Sequence, residues 1–358
     1  MSLTQTAYTS RKIIKFGGIG LIAISLFWNI SIFLVKAYKK AHPQYIPPTI
    51  SYGILPKITF LEQKTEPKTF TLELPNDEIP TFSDQARVYI IYRPNTTFLA
   101  LEEDKKTAAN FGFSMKPVEV KPGIYEFRDD VVNKILTVHV LDGDFNMRYP
   151  YLTDQLLLVS EDLPTKDKAV EIASGFLSQG NKLTDDLKNG QKRVTYWKIQ
   201  NGAITATESQ SQANAVRVDL FRADLNDFKL LSSNYDKTSV SILISGSKTE
   251  ARKIIEFNFK DISIDRESYA TYPIKTAQEA INSITSGNYW TAINVENKEV
   301  VIRRMYLAYF EPNALTNYLQ PIYVFEGDNG FVAYIPAIKS EYLEQNIGTS
   351  GPFFQINK

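Results

Sequence analysis

The 358 residues contain no cysteine. That excludes a disulfide framework and any zinc site built on thiolates, so a folded region must stand on its apolar core alone. Histidine is nearly absent too: His42 sits beside Pro43, and His139 lies inside an alternating apolar run. A histidine triad needs a base and an orienting partner together, and neither context suggests one, so His139 reads as a strand residue with an ordinary hydrogen bond. HExxH, Walker A, GxGxxG and GxSxG are all missing. Ser245-Gly246-Ser247-Lys248 matches S-x-x-K, but it ends a strand-like run. The acyl-enzyme chemistry needs that Ser to open a helix, so that the Lys one turn on can reach it. Asp142-Gly143-Asp144 and Asp328-Asn329-Gly330 lack the bidentate Glu that completes a calcium loop and read as tight turns. The expectation is a protein that is not an enzyme, with no cofactor, metal or catalytic residue to assign.

Charge is missing from one stretch in particular. Residues 16–35, FGGIGLIAISLFWNISIFLV, carry none, while Arg11, Lys12 and Lys15 precede them and Lys36, Lys39 and Lys40 follow. Twenty residues at about 1.5 Å rise cover about 30 Å, the thickness of a bilayer's hydrocarbon. A cleaved signal peptide has an apolar region of about 7–15 residues and a small-x-small site. This run is longer and ends in lysines, so it reads as an uncleaved single-pass anchor. Ser25, Asn29 and Ser31 inside it are tolerable in a spanning helix, where Asn can bond a partner helix. Three basic residues on each side leave the positive-inside count tied. The short basic tail favours an N-in topology with the rest of the chain extracytoplasmic, at the cell membrane.

Beyond position 40 stand 34 Lys and Arg against 40 Asp and Glu, a net of −6. A mildly acidic domain without a basic cluster is a poor nucleic-acid binder. Hydrophobic content of 43% with 12% aromatics fits a globular protein and not a disordered stalk.

Pro43, Pro47, Pro48 and Pro56 mark residues 39–57 as an extended linker. Three helices are then expected: Thr97 to Asn110, Thr165 to Gln179 with Thr165 as N-cap and Gly180 at C′, and one opening at Thr276, whose pairing with Glu279 fits a capping box. Their apolar stripes are narrow and rich in small residues, which suits close packing of one face on a sheet. Each is followed by strand-like runs: 124–127 and 136–141; 194–199, 204–207, 215–221, 239–244 and 254–259; 300–310, 320–325 and 331–335. Asn201-Gly202 and the segment 327–330 are hairpin signals. Helix-then-strands order with tight turns predicts an α+β fold of repeated units, each one helix packed on an antiparallel sheet. The predicted boundaries are a cytoplasmic tail (1–12), an anchor helix (13–38), a linker (39–57), α+β units at 58–160, 161–268 and 269–342, and a tail at 343–358.

The C-terminal stretch carries a resemblance. Val301-Ile302-Arg303-Arg304-Met305-Tyr306-Leu307-Ala308-Tyr309-Phe310, followed by Tyr318-Leu319-Gln320-Pro321-Ile322-Tyr323-Val324-Phe325-Glu326-Gly327, resembles the PepSY-like, YycH/YycI-like membrane-anchored regulators of bacterial envelopes. The resemblance implies a non-catalytic extracytoplasmic domain that regulates or scaffolds an envelope protein, for example a sensor kinase. It supplies no catalytic residues to carry over. Tyr306, Tyr309, Tyr323, Phe325, Phe331 and Tyr334 would form cross-strand ladders. Core packing is the better account of them, and an exposed Tyr-rich face that binds a partner is the functional one. The expected function is a membrane-anchored binding or regulatory protein. The alternatives are an envelope hydrolase with an unrecognised pair of carboxylates and a structural assembly subunit.

Overall fold

A computed structural model of the chain describes residues 16, 21, 24–38, 45–60, 68–92, 98–114, 116–158, 162–260, 262–312 and 316–345. The residues segregate into two units, 1–48 and 49–358.

In the first unit, residues 24–38 are helical, as are Phe16 and Leu21. Apolar side chains project all round, with Phe27 and Phe33 about 70% exposed. Asn29 turns its amide back to the Ser25 carbonyl at 2.7 Å, so its polar group is satisfied within the helix. Among the described residues no helix is long and apolar enough to cross a membrane. Residues 17–20, 22 and 23 of the uncharged run lie outside the described residues, as do the tail 1–12 and residues 39–44 of the linker.

In chain order the second unit comprises β1 (Thr69–Leu72), β2 (Gln85–Tyr92), α1 (Phe98–Asn110), β3 (Val118–Lys121), β4 (Ile124–Asp129), β5 (Lys134–His139), β6 (Asp144–Arg148) and α2 (Gln155–Leu158). Next come α3 (Lys166–Gln179), α4 (Asp185–Asn189), β7 (Lys192–Gln200), β8 (Ala203–Thr207), β9 (Ala215–Leu220), β10 (Leu230–Ser232), β11 (Val240–Ser245), α5 (Glu250–Lys253), β12 (Ile254–Phe259) and β13 (Ser263–Pro273). The last elements are α6 (Ala277–Thr285), β14 (Trp290–Ile293), β15 (Glu299–Glu311), β16 (Tyr318–Gly327) and β17 (Val332–Pro336). The architecture is mixed α+β with two large sheets. One has nine antiparallel strands in the order β3-β4-β5-β6-β12-β11-β9-β7-β8. The other has eight, built on β1-β15-β16-β17-β14, with β10 beside β15 and β2 joining β16 to β13.

The helices start where the chain chemistry says they should. The Thr165 hydroxyl accepts from the Lys168 amide, and Thr276 and Glu279 form the reciprocal capping box. Thr97, the expected start of the first helix, lies outside the described residues. Gly180 caps α3 for a reason other than a left-handed turn. Its φ is −85°, and Asn181 takes the left-handed conformation at 54°. A Cβ on residue 180 would lie 2.1 Å from the Phe111 ring, which stacks on Phe176 at 4.5 Å. The glycine makes room for that ring.

Ala169, Ala173 and Leu177 of α3 and Ala108 of α1 share one core with Phe127, Leu136, Val138, Phe145, Met147, Val218, Ile242 and Phe257. The first two predicted helix-plus-strands units therefore merge into a single sheet, joined where β6 pairs β12. The third unit keeps its own sheet, on which Ala280, Ile281 and Ile284 of α6 are buried. Two stretches fall elsewhere than their sequence position suggested. Residues 69–92, placed in the first unit by chain order, give β1 and β2 to the C-terminal sheet, where β1 runs parallel to β15. Residues 49–57, read as linker, dock on that sheet: Leu55 is fully buried and bridges Leu343, and the Tyr272 hydroxyl bonds Tyr52 and Gly53 at 3.0 Å. Leu343 is thus folded with the unit, while 346–358 lie outside the described residues.

Lys134 is buried at the start of β5, on the same face as Leu136 and Val138. Burial pushes its amine down from an ordinary 10.5 to about 8, against the pull of Asp129, its register partner on β4. The unfolded chain then binds the extra proton between those values, so stability rises with pH from about 8 to 10.5 and the charge is a cost below about 8. Lys134→Met is expected to stabilise the fold by about 1–3 kcal/mol at pH 7. Urea titrations at pH 7 and pH 10.5 check it: the gain should fade at the higher pH, and a destabilised variant at pH 7 contradicts it.

Candidate interaction surface

Strand alternation sends every second residue of the nine-stranded sheet away from the helices. Register aligns those residues into two rows that run across seven strands. The first is Glu126–Thr137–Asn146–Asn258–Ser241–Asp219–Arg193, and the second is Arg128–Ile135–Arg148–Glu256–Leu243–Arg217–Thr195. At about 4.8 Å per strand the face is roughly 29 Å wide. Four arginines and three carboxylates lie in these rows.

The polar groups in the middle are tied to each other. Asp219 is buried beneath two guanidiniums, with Arg217 Nε at 2.9 Å and Arg193 Nη2 at 3.2 Å. Asn146 donates to the side chain of Asn258, which donates to Glu256 at 3.1 Å and to Ser241 at 3.4 Å. The Tyr151 hydroxyl donates to the other oxygen of Glu256 at 3.1 Å. Burial, together with that carboxylate, pushes the Tyr151 phenol up to about 12, so it stays a proton donor throughout the physiological range. One end of the face is closed by an apolar patch in which Tyr149 and Leu157 cover Ala215, Leu243 and Ile255. At the rim Arg128 and Arg148 are exposed, and Arg128 pairs with Glu126 at 2.9 Å. Such an arrangement holds its central side chains in place through their own hydrogen bonds and ion pairs and leaves the Arg128 and Arg148 guanidiniums exposed at the rim.

The six aromatic residues, for which core packing is the better account and an exposed recognition face the alternative, lie in the other sheet or, for Phe331, immediately before its strand β17. Tyr309, Tyr323, Phe325, Phe331 and Tyr334 are each no more than 1% exposed, and Tyr306 is half-buried. The C-terminal sheet is covered on both sides, which is why its strands read as near-continuous apolar runs. Tyr323, Phe325 and Phe331 pack in the core under α6. Tyr334 and Phe310 face the other way, against Trp290 and Phe60, with Phe60 stacked on Trp290 at 5.0 Å. Tyr309 meets Tyr89 edge-on at 5.5 Å. Their hydroxyls are used internally: Tyr323 donates to the Lys275 carbonyl at 2.5 Å and Tyr334 to that of Ser232 at 3.2 Å. Tyr306 and Tyr235 both donate to Glu326, at 2.7 and 2.6 Å. Burial alone would raise the Glu326 carboxyl, but those two hydrogen bonds and Arg304 outweigh it and hold it below its ordinary value.

Of the shorter motifs, Ser245 ends β11 with its hydroxyl donating to the Arg252 carbonyl at 2.6 Å, while Lys248 is exposed and lies 3.8 Å from Asp162. His139 pairs loosely with Asp142 at 3.9 Å. Asp328 is held by Arg303 at 2.7 and 2.8 Å in the β16–β17 turn. The polar face was signalled in the sequence by alternation such as Lys134–His139 and Ile254–Phe259, but the rows exist only in a strand order that is not the chain order.

The chain is therefore a mixed α+β protein whose largest sheet is helix-covered on one side and polar on the other. No family model matches it, and no curated protein does. Among solved structures it is similar to an uncharacterized protein from Eubacterium rectale ATCC 33656, at 11% identity over 76% of this chain and 89% of that one, with a TM-score of 0.40. It is also similar to the C-terminal domain of Bacillus megaterium YpeB, at 13% identity over 69% of this chain and 95% of that one, with a TM-score of 0.31.

Proposed function

We propose that the chain is a single-pass membrane-anchored protein that acts by binding. Its unit 49–358 stands on the extracytoplasmic side and engages a membrane or envelope protein, such as a sensor, through the polar face of the nine-stranded sheet opposite α1 and α3. The observation that carries this reading is the uncharged run 16–35 between basic collars. The exposed apolar side chains of helix 24–38 and the internally satisfied Asn29 support it. Pre-ordered side chains with exposed arginines at the rim suit a protein surface rich in acceptors.

Fractionation tests the placement. The protein is expected to stay with membranes through carbonate and high salt, to need detergent for release, and to be cut by protease added outside intact cells. Release without detergent, or protection of the large unit, sinks the reading. The face is tested separately by crosslinking from membranes. Arg128→Ser with Arg148→Ser is expected to leave stability within about 0.5 kcal/mol, since both are exposed. The same pair should cut recovery of a crosslinked partner at least tenfold, and unchanged recovery removes the face from the proposal.

A further inference from the structure

The eight-stranded sheet has a notch in one edge. On its outer side β15 is lined by two strands running parallel to it: β1 over residues 299–302 and β10 over 309–311. The last bond from the β1 side is the Glu73 amide to the Ile302 carbonyl, and the Tyr309 amide bonds the Lys229 carbonyl on the β10 side. Between them, residues 303–308 have no strand partner among the described residues on that edge. The register of β15 against β16 shifts between Ile302 and Arg304. Beyond that irregularity the outward-pointing residue is Tyr309, and alternation makes Leu307 and Met305 outward too. Pro321 opposite Tyr309 fits the same phase: it has no amide to give, and its carbonyl turns away to accept from Ala337. Met305 thus presents an amide and a carbonyl to the notch, and Leu307 carries the next outward pair on the same edge, with no hydrogen-bond partner for either among the described residues.

The notch is a cleft of about 580 Å³. Asn76 and Asp77, both at positive φ, turn the chain off the edge after β1. Pro75 and Pro80 then form a wall with no amide of their own. The two sides of the notch differ. On one, Leu74 and Met305 belong to the apolar core beside Ile79, which is 48% exposed. On the other, Lys229 lies over the Tyr306 ring at 5.7 Å, close to Arg304. Arg304 pairs with Glu326, whereas Lys229 has no carboxylate within ion-pair distance among the described residues.

We infer that this notch is a docking slot for an extended segment of a partner protein, which adds as a short strand parallel to β15 and closes the gap between β1 and β10. The flanking strands set the direction, and a six-residue gap of about 20 Å sets the length at four or five residues. The occupant should alternate apolar side chains, toward Leu74 and Ile79, with acidic ones, toward Lys229. Main-chain bonds to Met305 and Leu307 give the affinity, and Lys229 selects for the acid.

The test uses the full chain in detergent and a fluorescein-labelled Val-Glu-Val-Glu-Val peptide, followed by anisotropy and by amide exchange read with mass spectrometry. Saturable binding is expected, with slowed exchange confined to residues 303–308. Methylation of every peptide amide should weaken binding at least tenfold, and Lys229→Glu, an exposed substitution that leaves the fold intact, at least fivefold. No saturable binding, or equal binding of the methylated peptide, overturns the slot. Equal binding to Lys229→Glu overturns the acidic preference. Self-association of the chain that the peptide dissolves would make the occupant a second copy and overturn its assignment to a partner.

Discussion

Arg222→Ala is expected to cost the fold about 3–5 kcal/mol, the usual penalty for stripping one member from a buried ionic cluster. The Arg222 side chain is 3% exposed. Its Nη1 donates to Asp186 of α4 at 2.7 Å, its Nη2 to the Lys260 carbonyl at 3.1 Å, and its Nε faces Glu311 at the end of β15 at 3.5 Å. Glu311 is equally buried and also accepts from Ser239 at 2.7 Å. One guanidinium therefore answers two carboxylates, one on α4 and one at the end of β15 in the eight-stranded sheet, and alanine leaves both in low dielectric without it. The pH dependence separates this from a simple packing loss. Burial would raise the Asp186 carboxyl, but Arg222 and Thr184 more than offset it and hold it below its ordinary value. A depressed carboxylate stabilises the fold above its unfolded pKa, about 3.9, and that contribution is lost as pH falls through the lower folded value. The gap between wild type and variant in urea titrations should be widest at neutral pH and should shrink below about pH 4. A loss under about 1 kcal/mol at pH 7 contradicts the assignment. Arg222→Met combined with Asp186→Asn and Glu311→Gln should recover much of the loss, because the triple change removes the charges together.

The same cluster explains why the two sheets behave as one unit. The segment after β9 leaves the nine-stranded sheet at Arg222, lends β10 to the edge of β15, and returns as β11. Lys260, at the end of β12, donates to the Pro312 carbonyl at 2.7 Å. Loosening this junction should therefore lower the stability of both sheets together, and exchange protection should fall in β11 and β15 alike in Arg222→Ala.

How far the sequence disclosed this arrangement depended on the distance over which each signal acts. Thr165, Thr276 and Glu279 announced helix starts because capping is settled within one turn. Asn201-Gly202 announced the β7–β8 hairpin because both residues must take positive φ, as they do at 54° and 72°. The aromatic runs of β15 and β16 announced strands, but not that both faces would be covered. One cover comes from α6 and the other from Phe60 and Tyr235, which lie far away in the chain. The assignment of β1 and β2 to the C-terminal sheet had no local signal either: parallel pairing of Thr69 with Glu299 joins residues 230 positions apart. The polar face was half legible. Each strand showed its alternation, but Asn146 meets Asn258 and Ser241 meets Asp219 only after the chain has crossed over.

Gly190→Ala is expected to be as damaging as the loss of Arg222, and for a purely steric reason. Gly190 caps α4 with φ −73° and ψ 173°, a conformation any residue adopts, so no backbone strain attaches to alanine there. The obstacle is what a Cβ would meet: the Phe221 carbonyl oxygen at 1.9 Å, the Arg222 carbonyl carbon at 2.7 Å and the Ala223 amide nitrogen at 2.8 Å. All three are backbone atoms, and no rotamer change relieves them. They belong to the segment that positions Arg222, whose neighbour Ala223 is tied to the Asp186 carbonyl at 2.9 Å. To admit a methyl group the crossing segment must move away from α4, which lengthens the Arg222–Asp186 bond as well. A loss of about 3 kcal/mol or more follows, at the upper end for overpacking. Gly180→Ala is the comparison. Its Cβ would meet only the Phe111 ring, and a ring can tilt where backbone cannot, so it should cost less. Urea titrations rank the two, and near-equal stability of Gly190→Ala and wild type would show that the crossing segment is free to shift. The Gly190→Ala and Arg222→Ala losses should also fall well short of additive, since both act by separating the same two elements.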